Sequence, residues 1–178
     1  MIKYRYTLRA FVIIGLILSS ITVFARGVYQ TDQDFLAETF NQAVPKSKVV
    51  WVKGELAATI TEILGHKYSG LRIRYWQNEQ RSVWILEEIG KEKPITFGIV
   101  IVGNKIEKIK VLAFRESRGG EIRHPAFTQQ FEQAALDKLK LDRHIDGVSG
   151  ATLSVRAMTD VAILALYLDE FTDENIKD

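Results

Sequence analysis

Cysteine is absent from the 178-residue chain. Its absence excludes disulfides, thiolate metal sites, iron–sulfur clusters and thioether-attached haem, so any redox chemistry needs another cofactor. Histidine is scarce as well. His66, His124 and His144 are widely spaced, form no metal-ligand pattern and are read as structural or surface residues. Charge is nearly balanced, with 24 Lys and Arg against 22 Asp and Glu. No basic block and no nucleic-acid recognition motif stands out. The chain also lacks a nucleophile–base pair, a dinucleotide-binding fingerprint, an internal repeat and a low-complexity segment. What remains is 47% hydrophobic and 26% charged, an ordinary globular composition sufficient for one core.

The N-terminus has the form of an export signal. Lys3, Arg5 and Arg9 make a basic start, Ala10 to Ala25 is uncharged and mostly apolar, and Val23-Phe24-Ala25 offers a cleavage site. The apolar run is short for a membrane span, which needs about 20 residues. Both a cleaved signal and an uncleaved anchor remain open. Either places the bulk of the chain outside the cytoplasm, because the basic end stays inside.

Beyond that segment the pattern alternates between helix and strand. Thr31 or Asp32 caps an expected helix reaching about Gln42, closed by Pro45. Lys48 to Val52 is a short β-like run. Glu55 to Leu64 reads as a helix stopped by Gly65. Strands are expected at Leu71–Trp76, Ser82–Ile89, Ile95–Val102 and Lys105–Phe114, with Asn78-Glu79 and Gly103-Asn104 as turns. Hairpin connections imply an antiparallel sheet. A helix is expected from Pro125 to about Leu139, with Phe127 and Phe131 in the core, and a final one through the apolar run Leu153 to Leu168. The expected fold class is α+β: an antiparallel sheet of at least four strands with packed helices.

The most informative stretch is Asp146-Gly147-Val148-Ser149-Gly150-Ala151-Thr152, directly before that last helix. Small residues feed a helix N-terminus, and a threonine hydroxyl lies in the first turn. Helix N-termini leave N–H groups unpaired and carry partial positive charge, which suits phosphate. A plain helix start, with Ser149 as N-cap and Thr152 at the third helical position, is the competing reading.

Five of these residues, Asp146, Ser149, Gly150, Ala151 and Thr152, resemble the flavinylation signature of the FMN-binding domain family. That domain occurs in the C subunit of the sodium-translocating NADH:quinone reductase and the G subunit of the Rnf complex, and also in stand-alone exported proteins. The resemblance covers roughly Glu55 to Leu168. It divides the chain into a signal or anchor (1–25), an N-terminal helical extension (26–54), an FMN-binding domain (55–170) and a tail (171–178). It implies FMN joined to Thr152 through a phosphoester. A free threonine hydroxyl is a poor nucleophile. The resemblance therefore implies a separate FAD-dependent, magnesium-requiring flavin transferase of the ApbE type, which recognises Asp146 and the small residues after it. Ser154 is a second, weaker acceptor candidate and a support for the loop or phosphate.

The family also has a glutamate–hydroxyl–proline–glycine element upstream. Here Glu116, Ser117, Gly119 and Gly120 stand in its place, with Arg118 instead of the proline. The glycines would let backbone approach a flat ring. Arg115, Arg118 and Arg123 would set positive charge near it. The implied function is that of a periplasmic electron carrier, soluble or anchored to the inner membrane, exchanging electrons with a membrane oxidoreductase. The alternatives are an exported binding or assembly module on the same fold without covalent flavin, and a flavin-dependent reductase with its own small substrate.

Overall fold

Three tight turns fold the middle of the chain into a sheet. Gly103 and Asn104 both adopt positive φ, 57° and 60°, as a two-residue hairpin loop requires. At the second turn the Asn78 side-chain oxygen accepts the N–H groups of Gln80 and Arg81, both at 3.0 Å. The third is the charged segment Gly90–Lys93, where the Gly90 N–H donates to the Lys93 carbonyl at 3.2 Å. A computed structural model describes residues 27–175. The basic and apolar N-terminal segment lies outside the described residues.

The turns join strands β1 (Lys48–Trp51), β2 (Arg72–Gln77), β3 (Ser82–Ile89), β4 (Pro94–Val102) and β5 (Lys105–Phe114) into one antiparallel sheet in sequence order. Helix α1 (Asp32–Thr39) precedes β1, and α2 (Gly54–Leu64) joins β1 to β2. Thr31 caps α1 by accepting from the Asp34 N–H at 3.1 Å, and Gly65 ends α2 with a φ of 73°. The fold is α+β, as the pattern implied, with five strands in the main sheet of the described residues. Segment 26–54 takes part in it directly, through α1 and the edge strand β1.

The region after β5 differs from the sequence expectation. After a 3₁₀ turn (Gly120–Arg123), the helix expected from Pro125 to about Leu139 is replaced by a one-turn helix α3 (Pro125–Thr128) and a second 3₁₀ turn (Gln129–Phe131). A small hairpin of β6 (Leu136–Asp137) and β7 (Lys140–Leu141) follows. Edge pairing overrides helix propensity here. The Ile106 N–H donates to the Ala134 carbonyl at 2.9 Å and the Gln133 N–H to the Ile106 carbonyl at 2.7 Å. Gln133 takes a φ of 62° to make that contact, which no helix can absorb.

Helix α4 (Thr152–Asn175) lies along the inner sheet face beside α2. Its Met158, Val161, Ala162, Ala165 and Leu168 are fully buried with Trp84, Phe97, Ile99 and Ile60. The Trp84 indole stacks on Tyr75 at 4.6 Å, and its N–H donates to the Ser82 hydroxyl at 3.0 Å. Ser82 in turn donates to the buried Asp169 carboxylate of α4. On the outer face α1 packs Phe35, Leu36 and Phe40 against Val83, Val100 and Leu112. Gly98 makes room there, since a β-carbon at that position would overlap the Phe35 ring. Gly98→Ala should therefore cost about 1–3 kcal/mol of stability, read from denaturant midpoints. An unchanged midpoint would mean that α1 is not held on this face.

Candidate functional site

Three irregular segments meet at one end of the sheet: the β3–β4 turn, the loop leaving β5 and the turn entering α4. Together they line a groove of about 560 Å³ formed by Lys91, Glu116–Arg118 and Gly150–Ser154. The two motifs singled out in the sequence, about 30 residues apart, thus form one site.

The turn entering α4 closes with the Ala151 N–H donating to the Val148 carbonyl at 3.0 Å. Gly150 sits at its third position with a φ of 80°, where glycine is favoured. The Ala151 carbonyl accepts the Val155 N–H at 2.9 Å, so Ala151 is the N-cap and Thr152 the first helical residue. The competing reading, a plain helix start with Ser149 as cap and Thr152 at the third position, does not hold: the helix starts later, and a methyl group occupies the capping position. A methyl cannot accept a hydrogen bond. The N–H groups of Thr152, Leu153 and Ser154 accordingly meet no protein acceptor among the described residues.

Two hydroxyls stand in this first turn. Thr152 is exposed at the lip of the groove, whereas Ser154 is only 4% exposed. Ser154 is covered by Gly119, whose absent side chain is what allows the loop to close on the helix. A β-carbon on Gly119 would come within 2.5 Å of the Ser154 hydroxyl, and Gly119 also holds a φ of 87°. Gly120 starts the 3₁₀ turn and lies over the Phe114 ring. Neither glycine lines the groove; both serve the packing of loop on helix and core.

Glu116 is occupied by the neighbouring turn. One carboxylate oxygen accepts the N–H groups of Lys91, Glu92 and Lys93 at 2.5, 2.6 and 2.9 Å. Partial burial works against its charge. The three N–H donors together with Lys91 outweigh that effect and lower its pKa below the usual glutamate value. Asp146 and Ser149 are exposed and lie outside the groove lining. The Asp146 N–H is held by the Gln130 side chain at 2.7 Å, and its carboxylate stands 3.7 Å from His144.

The three arginines separate. Arg118 lines the groove. Arg115 turns away to the Thr96 hydroxyl at 3.0 Å and the Pro94 carbonyl at 3.2 Å, and Arg123 lies 4.8 Å over the Tyr29 ring. Positive charge at the groove comes instead from Arg118 and from Lys91, which sequence reasoning missed. Lys91 sits in a charged turn with no local signal, and only the fold carries it to the site. Phe127 and Phe131 are buried and meet edge-on at 5.8 Å, so they belong to the core.

Residues 90–166 match a family model described as an FMN-binding domain. Every groove residue lies within that match. No curated protein matches the chain. The groove suits such a ligand: unpaired helix-start N–H groups and two cations favour a phosphate, and an exposed hydroxyl stands beside them.

Gly119→Ala should lower stability by about 1–3 kcal/mol, through both positive φ and overlap with Ser154. Thermal unfolding at wild-type temperature would refute the packing described. Glu116→Gln should cost about 1–2 kcal/mol at neutral pH. The pKa of Glu116 is lowered by folding, so its contribution is present above the unfolded value near 4.5 and disappears as pH falls through the folded value. The difference from wild type should close in acid; a difference independent of pH would place the effect elsewhere.

Proposed function

The chain carries an FMN-binding domain, and from that premise we propose an exported electron-transfer flavoprotein. In this reading FMN is joined through a phosphoester to Thr152, and the protein exchanges electrons with a membrane redox partner. The observation that carries the attachment site is the contrast between the two hydroxyls. Thr152 is exposed beside three unpaired N–H groups, while Ser154 is 4% exposed and covered by Gly119.

Among the described residues no histidine or carboxylate of the groove is poised to activate Thr152, and the Glu116 carboxylate already accepts three backbone N–H groups. Activation is therefore assigned to a flavin transferase of the ApbE type. In that step the pyrophosphate bond of FAD breaks, the bond from phosphorus to the threonine oxygen forms, AMP leaves and the hydroxyl proton passes to the transferase. Gly150 and Ala151 keep the approach to Thr152 narrow in profile. Once the ester exists, the first-turn N–H groups of α4 and the side chains of Lys91 and Arg118 hold the phosphate. FMN would supply one- and two-electron chemistry, and the chain supplies its position and electrostatics.

The export step rests on Lys3, Arg5, Arg9 and the apolar stretch that follows them. No helix among the described residues is long and apolar enough to cross a membrane. A periplasmic site, soluble or tethered to the inner membrane, follows from this reading.

Expression with an active flavin transferase, followed by denaturing electrophoresis, should give a fluorescent band. Thr152→Val should abolish it and Ser154→Ala should keep it. A dark wild-type band would sink covalent attachment and leave the fold as a non-covalent binding module. A dark Ser154→Ala band with a fluorescent Thr152→Val band would reassign the acceptor.

A further inference from the structure

A second cavity, of about 350 Å³, adjoins the groove. Leu153 lines both and is 46% exposed. Leu153, Arg156, Ala157 and Asp160 recur at helical spacing, so one face of α4 runs from the attachment turn into this cavity. Arg156 also stands one helical turn beyond Thr152. The opposite walls are Leu64–His66, at the end of α2, and Glu88–Gly90, at the end of β3.

Four charged or titratable side chains converge there in two pairs. The His66 ring nitrogen Nε2 lies 2.9 and 3.1 Å from the two Glu88 carboxylate oxygens. Arg156 Nε lies 3.6 Å from Asp160 Oδ2. The carboxylates are the covered members: the Glu88 side chain is 8% exposed and that of Asp160 19%. The bond to Glu88, then that to the Lys67 carbonyl, raises the pKa of His66. Burial pushes Asp160 up to about 6, against the opposing effect of Arg156. Asp160 therefore gains or loses its charge at about 6, on the helix that begins at Thr152. From the β3–β4 turn, Lys91 brings a positive charge to the adjoining groove, and Arg118 brings another there. Glu116 approaches Gly90, with its charge held by backbone N–H groups. His66 and Glu88 both fall outside residues 90–166.

Building on the flavin reading, we propose that the His66–Glu88–Arg156–Asp160 cluster is a proton-accepting site coupled to the flavin at Thr152. Two electrons delivered by the membrane redox partner, together with one proton from water, would leave the bound FMN with one added negative charge. The Asp160 carboxylate or the His66 imidazole takes the second proton, and the total charge of the site is unchanged. A charge appearing on the ring raises the affinity of these neighbours for protons, and by reciprocity their protonation favours reduction. His66 and Asp160 act through the field at the ring and are positioning groups, not catalytic residues.

The test is a spectroelectrochemical titration of the flavin-loaded protein between about pH 5 and 8, the range in which histidine and a raised carboxylate titrate. The wild type is compared with His66→Gln, Asp160→Asn and the double variant. The slope of midpoint potential against pH should fall in the double variant towards half the wild-type value, and proton uptake on reduction, read with an indicator dye, should fall by one per flavin. Unchanged slope and uptake in a fully loaded double variant would overturn the proposal. A wild type that carries no flavin would overturn this inference together with the flavin reading. Loaded protein with an insensitive slope overturns the inference alone.

Discussion

The candidate site depends on helix α4 being held at both ends. Along its middle the helix is almost wholly apolar, and apolar packing by itself resists sliding weakly. Asp169 supplies a fixed point near the far end. Its carboxylate accepts from Ser82, which accepts from the Trp84 indole, so one hydrogen-bonded chain ties α4 to β3 inside the core. Burial raises the pKa of Asp169 despite the Ser82 bond, so the carboxylate is retained at some cost. A buried polar link of this kind fixes the register of one element on another where greasy contacts would tolerate several. At the near end Gly119 closes over Ser154. Between these two points the position of Thr152 is set relative to the sheet.

This arrangement explains why so much of the site could be read from residues, and why part of it could not. Gly103-Asn104, Gly65 and Gly150 act through local backbone geometry, which is written in sequence. The strands alternate in period two and the turns contain the residues that turns need. The motif at 146–152 is contiguous, so its placement before a helix was visible as well. The loop between Pro125 and Leu139 was not, because its conformation is decided by Gln133 and Ala134 pairing with Ile106, a contact between distant segments. Edge pairing of that kind leaves no periodic trace. Lys91 and the real tasks of Glu116, Gly119, Arg115 and Arg123 were hidden for the same reason. Each depends on which segment the fold brings alongside.

The burial of Ser154 and the exposure of Thr152 follow from helical geometry combined with one glycine. Residues two apart on a helix point to opposite sides. Once Leu166 and its neighbours commit one side of α4 to the core, the first turn must divide its side chains between loop and solvent. Gly119 allows the loop to lie directly on Ser154, which removes one hydroxyl from reach and leaves the other at the groove lip. Hydroxyl chemistry alone would not discriminate between them. Accessibility does, and accessibility is set by the residue that is missing a side chain.

Glu116 completes the electrostatic argument. An acidic residue beside a phosphate-binding groove looks misplaced, because like charges repel. Here one of its carboxylate oxygens accepts three backbone N–H groups of the β3–β4 turn, and Lys91 adds only a lesser attraction. That has two consequences for the groove. The turn is held in the conformation that brings Lys91 to the groove, and among the described residues neither Lys91 nor Arg118 forms an ion pair with Glu116. The exposed contact between Lys91 and Glu92, at 3.6 Å, is of the kind worth little in water, so it competes weakly. The groove therefore presents helix-start N–H groups on one side and cations on the other, with its one carboxylate turned to structural use. In the proposed reading a phosphate ester at Thr152 would sit between them, and the His66–Asp160 cluster beyond Leu153 would take up a proton to meet the charge that arrives with the electrons.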